Sequence, residues 1–221
     1  MAITASGTIS ASDIRTEFVG GSSAIDISSF YRGANTNVKS NASNNTATNL
    51  AAGVPTSGAI SFSDFYSQAK GWKKTFSSHS TQQSGTSIFG DDYAVDYPKQ
   101  VVVNSSVNLY STASGTPALD FASGGAGSIT VTNSGNIYGQ GGSAGSDGGT
   151  AINAAVAVTV VNNSSSNIKG GGGGGGNGGT GGVGSASTAA QSSSVVDKVG
   201  DKPDFVPYSV NTQFVSARAW S

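Results

Sequence analysis

Gly139-Gln-Gly-Gly142-Ser-Ala-Gly145-Ser-Asp-Gly148 decides how this chain is read. Glycine returns at every third position. Later come the unbroken glycines at 170–176, then the triplets Asn177-Gly-Gly, Thr180-Gly-Gly and Val183-Gly. Enzymes use glycine at single strained turns, and a flexible linker has no reason to keep a period. A period of three belongs to the extended polyproline-II-type helix, in which one residue per turn faces a crowded neighbour. One such glycine helix alone loses much entropy on ordering and leaves its polar backbone to water. Several packed side by side exchange N–H···O=C bonds, and glycine allows the approach because it has no Cβ. Neither tract contains proline, so neither is collagen-like. The expectation is a set of packed polyglycine-II-type helices, and a homotrimer would gather the tracts of three chains around one axis.

Both tracts follow segments of similar design. Ile129-Thr-Val-Thr-Asn133-Ser-Gly-Asn136-Ile137-Tyr138 leads into the first. Val158-Thr-Val-Val-Asn162-Asn-Ser-Ser-Ser-Asn167-Ile168-Lys169 leads into the second. An earlier copy is Val101-Val-Val-Asn104-Ser-Ser-Val-Asn108-Leu109-Tyr110. Each reads as a β-branched strand, an Asn-bounded turn and a short apolar step. A further element, Gly115-Thr-Pro-Ala-Leu119-Asp120, precedes the second copy, and Gly149-Thr-Ala-Ile152-Asn153 precedes the third. A repeat of about thirty residues suits a stacked, solenoid-like or interleaved β unit.

The N-terminal part repeats a different unit. Ile9-Ser-Ala-Ser-Asp13-Ile14 is echoed by Ile60-Ser-Phe-Ser-Asp64-Phe65-Tyr66, with a looser copy at Ile25-Asp-Ile-Ser-Ser-Phe30-Tyr31. Each combines an extended stretch with a serine placed as a helix N-cap, and in the closer pair an aspartate stands in the first turn. Short helices are expected at Asp13-Ile-Arg-Thr-Glu-Phe18 and Asp64-Phe-Tyr-Ser-Gln-Ala69. The fold class is therefore mainly β with little helix. Residues 1–71 are short strand/short helix repeats, and 72–115 a β region with aromatic loops. Residues 116–184 are a β and glycine-rich repeat region, and 185–221 are closing strands.

Composition narrows the function classes. Of 221 residues, 10% are charged, against about 25% in an ordinary domain. Glu17 is the sole glutamate, and the net charge of −1 offers no footprint for nucleic acid. Cysteine is absent, which excludes thiolate metal sites and cysteine nucleophiles. The start lacks the pattern of a signal peptide, and no apolar run has the length of a membrane span. The expectation is a soluble chain made in the cytoplasm.

The candidate chemical sites are sparse. His79, the only histidine, lies in Ser-Ser-His-Ser-Thr, which reads as a polar surface loop rather than a triad. Asp91, Asp92 and Asp96 fit no calcium loop and read as a solvated acidic turn. Gly179-Thr-Gly-Gly-Val-Gly184 matches a dinucleotide fingerprint only formally, since no strand precedes it. No catalytic, cofactor or metal site is expected. Tyr110, Tyr138 and Trp220 stand near turns or ends and are candidate receptor-contact aromatics, for sugars or for a partner's loops. Half-buried packing is the alternative for each.

The N-terminal motif resembles short repeats of tailed-bacteriophage tail proteins. Asn133-Ser-Gly-Asn-Ile-Tyr-Gly with the glycine-rich sequence after it resembles the glycine-rich adhesins that cap long tail fibres. The resemblance implies a virion protein of the tail tip or tail fibre, made in the host cytoplasm. It also implies that polyglycine helices support exposed loops, which bind a bacterial surface glycan or outer-membrane protein without catalysis. Ile9, Asp13, Ile14, Phe18, Phe30, Tyr31, Ile60, Asp64 and Phe65 would then be the docking motif toward other tail proteins. Two alternatives stay open: a head fibre, decoration or internal tail-tip protein with no receptor, and a tail-borne polysaccharide depolymerase.

Overall fold

The computed structural model describes residues 2–21, 24, 26–34 and 37–176. These fall in one compact unit; residues 177–221, which take in the whole expected closing segment, lie outside the described residues.

The N-terminal motif builds a small core of its own. Helix α1 (Ala11–Phe18) starts at Ser10, whose hydroxyl accepts from the Asp13 N–H while the Asp13 carboxylate accepts from the Ser10 N–H at 2.8 Å. Such a capping box satisfies two amides that the helix leaves orphaned. The same reciprocal pairing of Ser61 with Asp64 opens the second copy. There it starts only a 3-10 turn, Phe62–Phe65, instead of the expected helix to Ala69, because Tyr66 turns to ψ 132° and the chain leaves helical space. The middle copy is a further 3-10 turn, Ile27–Phe30, capped by Asp26. Each copy contributes one phenylalanine. Phe18, Phe30 and Phe65 meet edge to face with centroids 5.9–6.3 Å apart. Ile3, Ile14, Val38, Ala51 and Val54 complete this cluster.

From Trp72 onward the chain winds through three faces. The strands are β1 (Thr48–Asn49), β2 (Trp72–Phe76), β3 (Ser80–Thr81) and β4 (Gln83–Ser84). Helix α2 (Gly85–Phe89) and a 3-10 turn (Gly90–Ala94) come next. The strands β5 (Lys99–Val103), β6 (Asn108–Tyr110), β7 (Leu119–Phe121), β8 (Ile129–Asn133) and β9 (Asn136–Tyr138) follow. The described part ends with β10 (Ile152–Ala154), β11 (Val158–Asn162) and β12 (Asn167–Lys169). Among the described residues they form sheets ordered β1-β2-β5-β8-β11, β3-β6-β9-β12 and β4-β7-β10. Every pair is parallel except β1 with β2. The same progression on each face means that each turn of chain lays one rung on the last. Parallel rungs must be covered on the inner face, and the alternation follows: Val101, Val103, Leu109, Leu119, Phe121, Val131 and Ile137 are fully buried between the sheets.

The first rung begins at Trp72, earlier than the β-branched pattern announces. Trp72-Lys-Lys-Thr-Phe has no apolar run, yet Trp72 and Phe76 point inward and Trp72 is fully buried. On the last rung the inner face opens. Val160 and Val161 of β11 are 41% and 44% exposed, since no strand among the described residues stacks beyond them.

Candidate receptor-binding surface

Three extended glycine-rich segments leave the end of the stack: 139–145, the return 146–149, and 170–175. Their hydrogen bonds form a closed cycle. The N–H groups of Gly139, Gly142 and Gly145 donate to the carbonyls of Lys169, Gly172 and Gly175 at 2.8–2.9 Å. Gly171 and Gly174 donate to Gly149 and Ser146, both at 2.8 Å. Gly149 and Ser146 donate to Gln140 and Ser143 at 2.7 and 2.9 Å. Each ladder steps by three residues, where a β ladder would step by two. Glycine is required at particular positions. A Cβ on Gly139, Gly142, Gly148, Gly171 or Gly174 would collide with a carbonyl of a neighbouring segment, whereas Gly172, Gly175 and Gly176 face open space.

The two candidate tyrosines lie on one face of the β3-β6-β9-β12 sheet. Tyr110 pairs in register with Tyr138, and Tyr138 with Lys169. Leu109 and Ile137 point into the core, so the tyrosines point outward, Tyr110 39% exposed and Tyr138 half-buried. Beside them runs a column of amides: Asn136 Nδ2 donates to Asn108 Oδ1 at 2.8 Å, and Asn167 Nδ2 to Asn136 Oδ1 at 2.9 Å. The asparagines that looked like turn residues thus also tie rung to rung. Asn133, fully buried, donates to Asn162 Oδ1 at 2.8 Å and accepts from the Gly135 N–H. Trp220 lies outside the described residues.

The nine residues expected to form a docking motif sit mostly inside the fold. Ile14, Phe18, Phe30 and Phe65 are buried, and Ile9 and Ile60 pack against them half-buried. Asp13 and Asp64 cap turns, and the Tyr31 hydroxyl donates to the Gly58 carbonyl. Tyr66, which closes the second copy but stands outside the expected docking motif, makes the matching bond from its hydroxyl to the Gly7 carbonyl. The signal was available, since Tyr66 follows Phe65 as Tyr31 follows Phe30. Among the described residues of this region, the exposed large apolar side chains are Val19 and Phe62, 44% and 46% accessible.

The acidic turn needs correction. Asp91 and Asp96 are exposed, but Asp92 is buried, and its carboxylate accepts from the Ala42 N–H at 2.6 Å and Asn45 Nδ2 at 3.0 Å. It anchors the 42–45 loop to the stack. Close by, Lys99 is buried on β5, its ammonium donating to the carbonyls of Val95, Tyr97 and Ala126. Burial pushes this amine down to about 8, against the pull of Asp92 and Asp96. His79 is exposed, and its Nδ1 accepts from the Asn108 N–H at 3.0 Å. Among the described residues no three His, Asp or Glu gather as a metal site would need.

No curated protein and no solved structure matches the chain. The family described as phage tail fibre adhesin Gp38 matches residues 66–212, which takes in the stacked rungs and the glycine segments. By this match over most of its length, the chain belongs to the phage tail fibre adhesin Gp38 family.

Proposed function

We propose that this adhesin recognises the host surface through a rigid platform and does so without covalent chemistry. The observation that carries the reading is the three-residue hydrogen-bond ladder among segments 139–145, 146–149 and 170–175. Such a ladder is how polyglycine-II helices bond laterally, and here the glycine segments are of that kind. They form a stiff, backbone-bonded bundle at the end of the stack, and the turns and faces beside it meet the bacterial surface. Stiffness matters for recognition because an already ordered surface loses little entropy on binding.

The bundle closes within a single chain, since the first tract folds back on itself at 143–146. Lateral bonding therefore does not call for the tracts of three chains, and one chain per binding unit accounts for the ladder. The N-terminal unit joins the adhesin to other tail proteins. Its buried motif shapes that unit, and Val19 and Phe62 offer exposed apolar contacts. The test is direct. Purified full-length protein should bind host cells saturably and reduce phage adsorption in proportion to occupancy. No binding to cells that adsorb the phage would overturn the reading, and loss of polysaccharide viscosity on incubation would instead favour a depolymerase.

A further inference from the structure

We infer that the outer face of the β6-β9-β12 sheet is a glycan-binding track, which takes one extended polysaccharide strand along the tyrosine column. The inference rests on the host-surface reading above and assigns it a ligand class and an address. Tyr110 and Tyr138 are register neighbours, so their attachment points are one rung, about 4.8 Å, apart. That rise is close to the length one pyranose ring adds to an extended glycan. Consecutive sugars can therefore meet consecutive rings. A tyrosine presents an apolar face to the C–H side of a sugar and a hydroxyl at its rim. The column is held in place: Leu109 and Ile137 bury the strands on one side, and the Asn108–Asn136–Asn167 amide ladder locks rung to rung.

The chemistry of the face selects the occupant. Thr81, Tyr110 and Tyr138 follow one another in register, a hydroxyl and two phenol rings, and the column ends at the exposed Lys169. A protein partner wants a broad apolar centre with a polar rim, and this face is a narrow line of two rings. A polar polymer one ring wide fits it. Lys169 adds a preference for a carboxylate or phosphate substituent at the sugar that follows the second tyrosine.

The experiment titrates the full-length chain with delipidated polysaccharide released from the lipopolysaccharide of a strain the protein adsorbs to. Tyr110→Ala and Tyr138→Ala should each weaken binding about tenfold, and the pair should abolish it. The Tyr110→Phe, Tyr138→Phe pair should bind within roughly threefold of the parent, since the ring carries the contact. Lys169→Gln should weaken binding several-fold at low salt and flatten its salt dependence. Unfolding temperatures of all variants identify any that fail to fold. A folded double-alanine variant that binds the polysaccharide like the parent overturns the track. So does a parent that adsorbs to cells yet ignores their polysaccharide, and in that case the host-surface reading survives. A double-alanine variant that loses binding to cells stripped of polysaccharide makes the face a protein site and overturns the glycan assignment. Unchanged affinity for Lys169→Gln removes the anionic substituent. Failure of the parent to bind cells at all strikes the earlier reading.

Discussion

Glycines in one tract are unequal, and the inequality sets a test. Gly171 faces the Gln140 carbonyl across the bundle, and Gly172, its neighbour, faces open space. Gly171→Ala should destabilise the protein by about 1–3 kcal/mol as backbones are forced apart, and Gly172→Ala should stay within roughly 0.5 kcal/mol. Calorimetric unfolding of the two variants measures the contrast; equal effects would mean that the axis is not crowded. Lys99 poses a second residue-scale question. Its three carbonyl acceptors saturate an ammonium, so Lys99→Met leaves them unpaired in the core, at a cost of about 2–4 kcal/mol. Its folded pKa of about 8 lies below the ordinary 10.5. Between those values the unfolded chain holds the proton and the folded chain releases it, so this group adds stability as pH rises. Burial also raises Tyr93 and Tyr97, which opposes the trend once tyrosine ionises near 10. Unfolding temperature should therefore rise between pH 8 and 10 in the parent relative to Lys99→Met, and parallel curves would refute the assignment.

At the scale of elements, the two cores behave as separate clusters, each with its own weak point. The N-terminal cluster depends on three phenylalanines contributed by three motif copies, so Phe30→Ala or Phe65→Ala should remove about 3–5 kcal/mol. Hydrogen exchange should then show the N-terminal segment opening while amides of β5 and β8 stay protected. Loss of protection in both together would show a single cooperative core. The element pattern also shows what the sequence could and could not reveal. Ile129 and Val158 open β8 and β11, whose β-branched residues and closing asparagines are visible in one dimension, and the two strands pair directly. Val101 lies mid-strand in β5 and pairs with Val131, two residues on from Ile129. Trp72–Phe76 gives no such sign, because two lysines fill its middle; only stacking under Lys99–Val103 makes it a rung. The return at 146–149 was equally hidden. A triplet period sets the conformation of a segment, but the fold-back depends on hydrogen bonds to residues far along the chain. The motif aromatics read as docking residues for a similar reason: repetition marks a position as needed without saying whether it faces inward.

For the whole molecule, the arrangement joins a capped N-terminal cluster, a stack of parallel rungs and a glycine bundle in the order the chain is made. The bundle has no side-chain core of its own. Its stability comes from backbone hydrogen bonds and from its covalent continuity with β9, β10 and β12, so it should unfold with the stack and not before it. Closure within one chain also sets the expected mass. Light scattering of the purified protein should give the 21.8 kDa of a single chain. A threefold mass would call for a contact between copies, and β11, the edge strand among the described residues with Val160 and Val161 exposed, is the place to test for it. Those alternatives differ in a second observable. If copies stack on that edge, Val160→Lys places charge in an apolar contact and should return the protein to single-chain mass. If the chain is already single, the same substitution should leave both the mass and the unfolding temperature nearly unchanged, because a lysine at a solvent-facing edge pairs with nothing and displaces nothing.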